Sequence, residues 1–100
     1  MWNMSVLVLL EVSLKPENVN DFTNFMKNEL HDTRGFDGCN GLTVHKNQDD
    51  SNNMVIVEDW DSRQQYEKYL SWRTERGDLE KLAAWLTGEP SIRYFDNAQI

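Results

Sequence analysis

From Ser5 to Leu14, Val6, Val8, Leu10, Val12 and Leu14 alternate with Ser5, Leu7, Leu9, Glu11 and Ser13. Successive side chains of an extended chain point to opposite faces, so the pattern predicts a strand with one fully apolar face and one mixed face. Lys15-Pro16 breaks it, because proline cannot extend a ladder but suits a first helical turn. The period then changes. Val19, Phe22, Phe25, Met26 and Leu30 recur at steps of three and four, which places one apolar stripe on a helix ending near Arg34-Gly35. GFDGCNG, residues 35–41, is dense in glycine and reads as a loop. Leu42 to Lys46 is short and β-prone, and the polar turn NQDDSNN joins it to a strand from Met54 to Trp60, which makes a hairpin. Asp61 or Ser62 can cap the next helix, on which Tyr66, Tyr69, Leu70 and Arg73 lie within reach of one another before Gly77 ends it. A shorter helical segment turns Leu79, Leu82, Ala83 and Leu86 inward. Gly88 and Pro90 end that segment, and Ser91 to Phe95 forms the last strand.

The order β-α-β-β-α-β predicts an α+β, ferredoxin-like fold: an antiparallel four-stranded sheet with its helices on one face. The other face is then bare in a monomer. Leu7 and Leu9, in company with Val55 and Val57, would leave an apolar patch too large for a lone chain, so a homodimer formed through the sheet is expected. One hundred residues suit a single domain spanning 1–100, and a hydrophobic fraction of 39% with eleven aromatics supports one compact core. A net charge of -7 argues against nucleic acid or an anionic membrane as partner, since both require clustered Lys and Arg.

Chemistry is constrained by what is sparse. The single Cys39 cannot form an internal disulfide and offers no paired metal-ligand spacing. The two histidines, His31 and His45, have no spacing that would join them, so no metal is expected. No glycine-rich loop precedes a helix, so no nucleotide cofactor is indicated. The longest apolar run, Val6 to Leu10, is far shorter than a membrane span and follows no basic leader, which points to a cytoplasmic location. One position stands out. On the third strand Met54, Ile56, Glu58 and Trp60 share a face while Val55, Val57 and Asp59 share the other, so an apolar run is closed by an acid beside an indole.

The E-D-W ending of that strand, the helix QQYEKYLSWRTERG and the tail GEPSIRYFD together resemble the antibiotic biosynthesis monooxygenase family, over roughly Val6 to Asp96. The resemblance implies ferredoxin-like chains paired into a dimeric α/β barrel, each with a pocket between sheet and helices. It also implies cofactor-free oxidation of a small aromatic phenol, anthrone or quinol by dioxygen. Two positions depart from the family. Tyr69 stands where many members carry a helix histidine, and the asparagine used by a related haem-degrading branch is replaced on the first strand, where Leu9 and Glu11 stand. The missing histidine favours a rival reading, a non-catalytic dimeric module that binds a hydrophobic small molecule, while the missing asparagine disfavours a second rival, haem binding or degradation.

Such an oxidation requires the protein to deprotonate the substrate, hold the anion flat and keep water away. The candidate catalytic residues are Glu58 as base, Trp60 as aromatic wall, and Tyr69 and Arg73 as groups that could face the developing oxyanion. Tyr66, His45 and Trp72 are the candidate substrate-binding residues. Packing offers competing explanations. Glu58 could pair with Arg73 or Arg93 to tie helix to sheet, Trp60 and the tyrosines could be core, and a lone histidine on a strand is usually structural or solvated.

Overall fold

The computed structural model describes residues 5–100; the expected domain span and the expected lack of a leader also cover residues 1–4, which lie outside the described residues. Strand β1 (Val6–Ser13) leads through a 3-10 turn at Pro16–Asn18 into helix α1 (Val19–Arg34). Strands β2 (Cys39–Lys46) and β3 (Asn53–Trp60) form the hairpin, followed by helices α2 (Arg63–Glu75) and α3 (Asp78–Ala83) and strand β4 (Ser91–Asp96). The sheet order is β2-β3-β1-β4 with every pair antiparallel, which is the ferredoxin-like arrangement. Among the described residues no helix is long and apolar enough to cross a membrane.

Local chemistry explains most boundaries. Pro16 opens the 3-10 turn, and the Ser62 hydroxyl accepts the Gln65 N–H to cap α2. Gly77 leaves α2 with a φ of 83°, which a side chain would strain, and so turns the chain into α3. The third helix is shorter than its apolar pattern suggested. It stops at Ala83, and Leu86 reaches the core from beyond it, through an isolated bridge to Leu14.

The glycine-rich stretch is only partly loop. Cys39 to Gly41 already belongs to β2, with Cys39 opposite Trp60 and Gly41 opposite Asp59, so Asn40 is the extra residue of a bulge. Asn40 spends its amide on Asp59 and Asp61, and Gly41 has a φ of 141°. Glycine at positive φ lets a strand absorb the bulge, and glycine density alone does not tell that device from a loop.

On β3 the side chains of Met54, Ile56, Glu58 and Trp60 are buried under the helices. Two apolar clusters fill that layer. Val12, Leu14, Phe22, Leu42, Met54, Ile56 and Leu86 pack beneath α1, while Val6, Val8, Trp60, Tyr66 and Tyr69 pack beneath α2. Each large apolar side chain buried this way contributes about 1.5–3 kcal/mol. The opposite sheet face carries Leu7, Leu9, Val55, Val57 and Phe95, with Leu7 and Phe95 about 39% and 43% exposed.

Candidate active site

Glu58 lies at the middle of the sheet, where its strand neighbours Val8 on β1 and Leu42 on β2 are both apolar. The side chain is 4% exposed. Because residues two apart on a strand share a face, Trp60 stands beside it, and the indole Nε1–H donates to Glu58 Oε1 at 3.0 Å. This is the only hydrogen bond to the carboxylate among the described residues, so Oε2 is left for another partner. Burial pushes the carboxyl up to about 7, and the indole bond offsets only part of that rise.

The expected ion pair between Glu58 and an arginine does not form. Arg73 is occupied elsewhere: Nε donates to Tyr69 Oη at 2.9 Å, Nη1 to Glu29 Oε1 at 3.0 Å and Asp78 Oδ2 at 2.8 Å, and Nη2 to the Glu29 carbonyl and Thr33 Oγ1, both at 3.0 Å. A guanidinium has five N–H donors, and all five are used. Arg93 faces the other side of the sheet and pairs with Glu11 at 3.7 Å. Among the described residues Glu58 is therefore a buried acid with no cation against it.

Tyr66 is the second polar group at this point. It is fully buried, and its hydroxyl has no partner among the described residues. Burial, and to a smaller degree the Glu58 carboxylate, push the phenol well above the usual tyrosine range, so it stays a neutral donor. An orphaned buried hydroxyl costs about 1–3 kcal/mol and is rare in folded proteins. Tyr69 differs, since its hydroxyl is shared between Thr33 Oγ1 at 2.8 Å and Arg73 Nε.

Glu58, Tyr66, Tyr69 and Arg73 all border one recess of about 60 Å³ between sheet and helices, closed on the helix side by residues such as Thr33 and Leu70. Beside it, sharing Leu10, Met26, Ile56, Tyr66, Leu70, Leu79 and Leu82, runs a chamber of about 290 Å³ whose remaining lining is apolar, from Val12 on β1 and Phe22 on α1 to Leu86 and Ile92. The exposed residues Ala83, Pro90 and Ile92 mark its mouth.

Four sequence-predicted residues thus converge on the recess, and three others do not. Trp60 is fully buried behind it, with Tyr66 and Tyr69 at ring-centroid distances of 5.5 and 5.2 Å, and it acts on the site through its bond to Glu58. Trp72 packs on Phe36 and lies beneath the Arg73 and Arg76 guanidiniums, 4.8 and 4.9 Å from their carbons, away from the recess. His45 is exposed on the outer sheet face, opposite Val55, with its Nε2 2.7 Å from Thr43 Oγ1. A side chain on that face cannot turn into a space on the other. Sequence reasoning missed Thr33. It is 1% exposed and continues the Phe22, Met26, Leu30 stripe of α1, so a hydroxyl on a buried helical stripe was the available signal.

No curated protein matches the chain. Among solved structures, a conserved protein from Methanosarcina mazei Go1 superposes with a TM-score of 0.84 at 19% identity, covering 93% of this chain and 92% of that one. A candidate antibiotic biosynthesis monooxygenase from Nitrosomonas europaea gives 0.80 at 14% identity, covering 98% and 94%. Another from Deinococcus radiodurans gives 0.80 at 18% identity, covering 93% and 92%. At such identities these likenesses show the fold. Residues 5–74, which carry β1 to β3, α1 and nearly all of α2, match the antibiotic biosynthesis monooxygenase family itself, and the chain belongs to that family.

Proposed function

We propose that this protein is a cofactor-independent monooxygenase that oxidises a small aromatic phenol, anthrone or quinol with dioxygen. Family membership supports a general monooxygenase-like role. The observation that carries the finer reading is the pairing of Glu58, a buried carboxyl at about 7 with one free oxygen, with the unpartnered Tyr66 hydroxyl beside an apolar chamber. A base with a pKa near ambient pH is suited to general-base work. Glu58 takes the proton of the substrate hydroxyl or acidic C–H, and Tyr66 donates to the oxygen on which negative charge develops. The electron-rich anion then supplies the four electrons that reduce dioxygen, one oxygen atom entering the substrate as a carbonyl and the other leaving as water. The apolar walls keep bulk water from the anion. A homodimer paired through the outer sheet face belongs to the same reading.

The rival reading, a dimeric module that binds a hydrophobic small molecule without turnover, is favoured by one observation: Tyr69 replaces the family histidine and is fully engaged by Thr33 and Arg73. Oxygen uptake by the metal-free protein with a panel of anthrones and quinols separates the two. Turnover that falls by roughly 10²-fold in Glu58→Gln supports the monooxygenase. Tight binding of the same compounds with no oxygen consumed supports the module instead.

A further inference from the structure

A second concave surface lies on the far side of α1 from the chamber, between that helix and the edge strand β2. It measures about 510 Å³, within the roughly 300–1,000 Å³ usual for small-molecule sites. Its floor is apolar, built from Phe22, Met26, Leu30, Val44 and Met54. Val44 is 37% exposed although it faces the helix side, because an edge strand has a neighbour on one side only. The rim carries Lys27, Arg34 and Lys46, and no acidic residue lines the groove.

That charge pattern is unusual for this chain, which has seventeen acidic residues against ten basic ones. Arg63, Arg73, Arg76 and Arg93 each pair with a carboxylate. Arg34 is the one described arginine that does not; its guanidinium makes a single long bond, 3.4 Å, to the Leu42 carbonyl. The Lys27 and Lys46 side chains make no hydrogen bond or ion pair among the described residues. Lysine stems commonly lie along apolar surface with the head in water, which accounts for two of the three cations. It does not account for an arginine fork left open above an apolar floor. Thr23, Lys27, Leu30 and Arg34 follow one another at steps of four, three and four on α1, so the helix sets cation and floor along one line.

We propose that this groove binds an amphiphilic anion: one molecule with a single apolar chain, laid on the Phe22, Met26 and Val44 floor, and a carboxylate or phosphate head held by Arg34 with Lys46 or Lys27. Arginine grips both head groups bidentately. The site is independent of the monooxygenase reading, sharing only the wall residues Phe22 and Met26 with the chamber and Met26 and Leu30 with the recess.

The test is titration of decanoate, decyl phosphate and decanol, below micelle-forming concentrations, into the full ¹⁵N-labelled chain, with calorimetry for affinity. The expected result is one anion per chain, amide shifts centred on Leu30, Arg34, Val44 and Lys46, and binding of decanol weaker by about tenfold or more. Arg34→Gln with Lys46→Gln, two exposed positions, should weaken decanoate by about tenfold, the scale of one lost charge-assisted hydrogen bond. Glu58→Gln should leave it unchanged. Decanol bound as tightly as decanoate, parent-like affinity in the double variant, shifts confined to the chamber mouth at Ala83 and Ile92, or no binding of either anion would each overturn the proposal.

Discussion

Glu58 determines what the site can do, and its environment makes two measurable statements. Its carboxyl is raised from 4.5 to about 7, first by desolvation, so the folded chain holds a proton that the unfolded chain releases between those values. Stability contributed by that proton is fully present below about 4.5 and lost as pH rises through about 7. Glu58→Gln, which keeps the shape without the charge, should therefore match the parent near pH 4.5 and exceed it at pH 8, by on the order of 3 kcal/mol for the full shift. Urea melts at the two pH values check this; a variant less stable than the parent at pH 8 would refute it. Activity should run the opposite way, rising with pH through about 7 as the carboxylate form of the base accumulates. At Tyr66 the same logic separates folding from function. Tyr66→Phe removes an orphaned hydroxyl, so its melting temperature should hold or rise, while oxygen uptake should fall about tenfold if that hydroxyl meets the substrate. The period-two reading of β3 sets Glu58 and Trp60 on one face, and the structure turns that face to the helices and adds the 3.0 Å bond between them. It could not show which arginine, if any, stood against the acid, because that depends on where α1 and α3 end up around α2.

Arg73 is where that dependence shows. As a helix residue within reach of Tyr66 and Tyr69 it read as a site cation, yet its partners come from three helices: Glu29 and Thr33 on α1, Tyr69 on α2 and Asp78 at the start of α3. Glu29 lies 44 residues away in sequence, so no local pattern announces the contact. The network makes Arg73 the tie that holds the helical layer over the recess. Burial alone would disfavour its charge, and the bonds to Asp78, Tyr69 and Glu29 more than offset this, holding the guanidinium above its ordinary range. Arg73→Met should cost about 3–5 kcal/mol by leaving Asp78 and Glu29 to the half-exposed Arg76 alone and Thr33 and Tyr69 without their donor, and Arg73→Lys should recover little, since an ammonium cannot reproduce the fork. Denaturant midpoints decide it; a stable Arg73→Met with selectively lost turnover would return Arg73 to the chemistry. The elements themselves were legible because hydrophobic period, Pro16, Ser62 and Gly77 all agree on them. The start of β2 was not, because a bulge at Asn40 flanked by positive-φ glycines has the composition of a turn.

At the scale of the whole molecule the helices cover one side of the sheet, and the other side poses the remaining question. Across the outer face the register sets Val57, Leu9 and Arg93 in one row and Asp59, Leu7 and Phe95 in the next, with Glu11 and Arg93 paired beside them. Leu9 is at the centre, on one of the two inner strands and flanked by Leu7 and Val57, so this apolar band is continuous. A band of that kind on a monomer is an association surface by default. A two-fold pairing of sheet on sheet would bury it against its own copy, since an isologous interface uses the same patch twice. The expected particle in solution has about twice the mass of the 11.8 kDa chain. Leu9→Lys places an unpaired charge at the middle of the band, where desolvation in a dimer is costly, while in a monomer the same lysine is simply solvated. The variant should accordingly stay folded by circular dichroism and shift to monomer mass in light scattering at micromolar concentration. A parent that is monomeric under those conditions, or a Leu9→Lys protein that remains dimeric, would remove the sheet face as the interface.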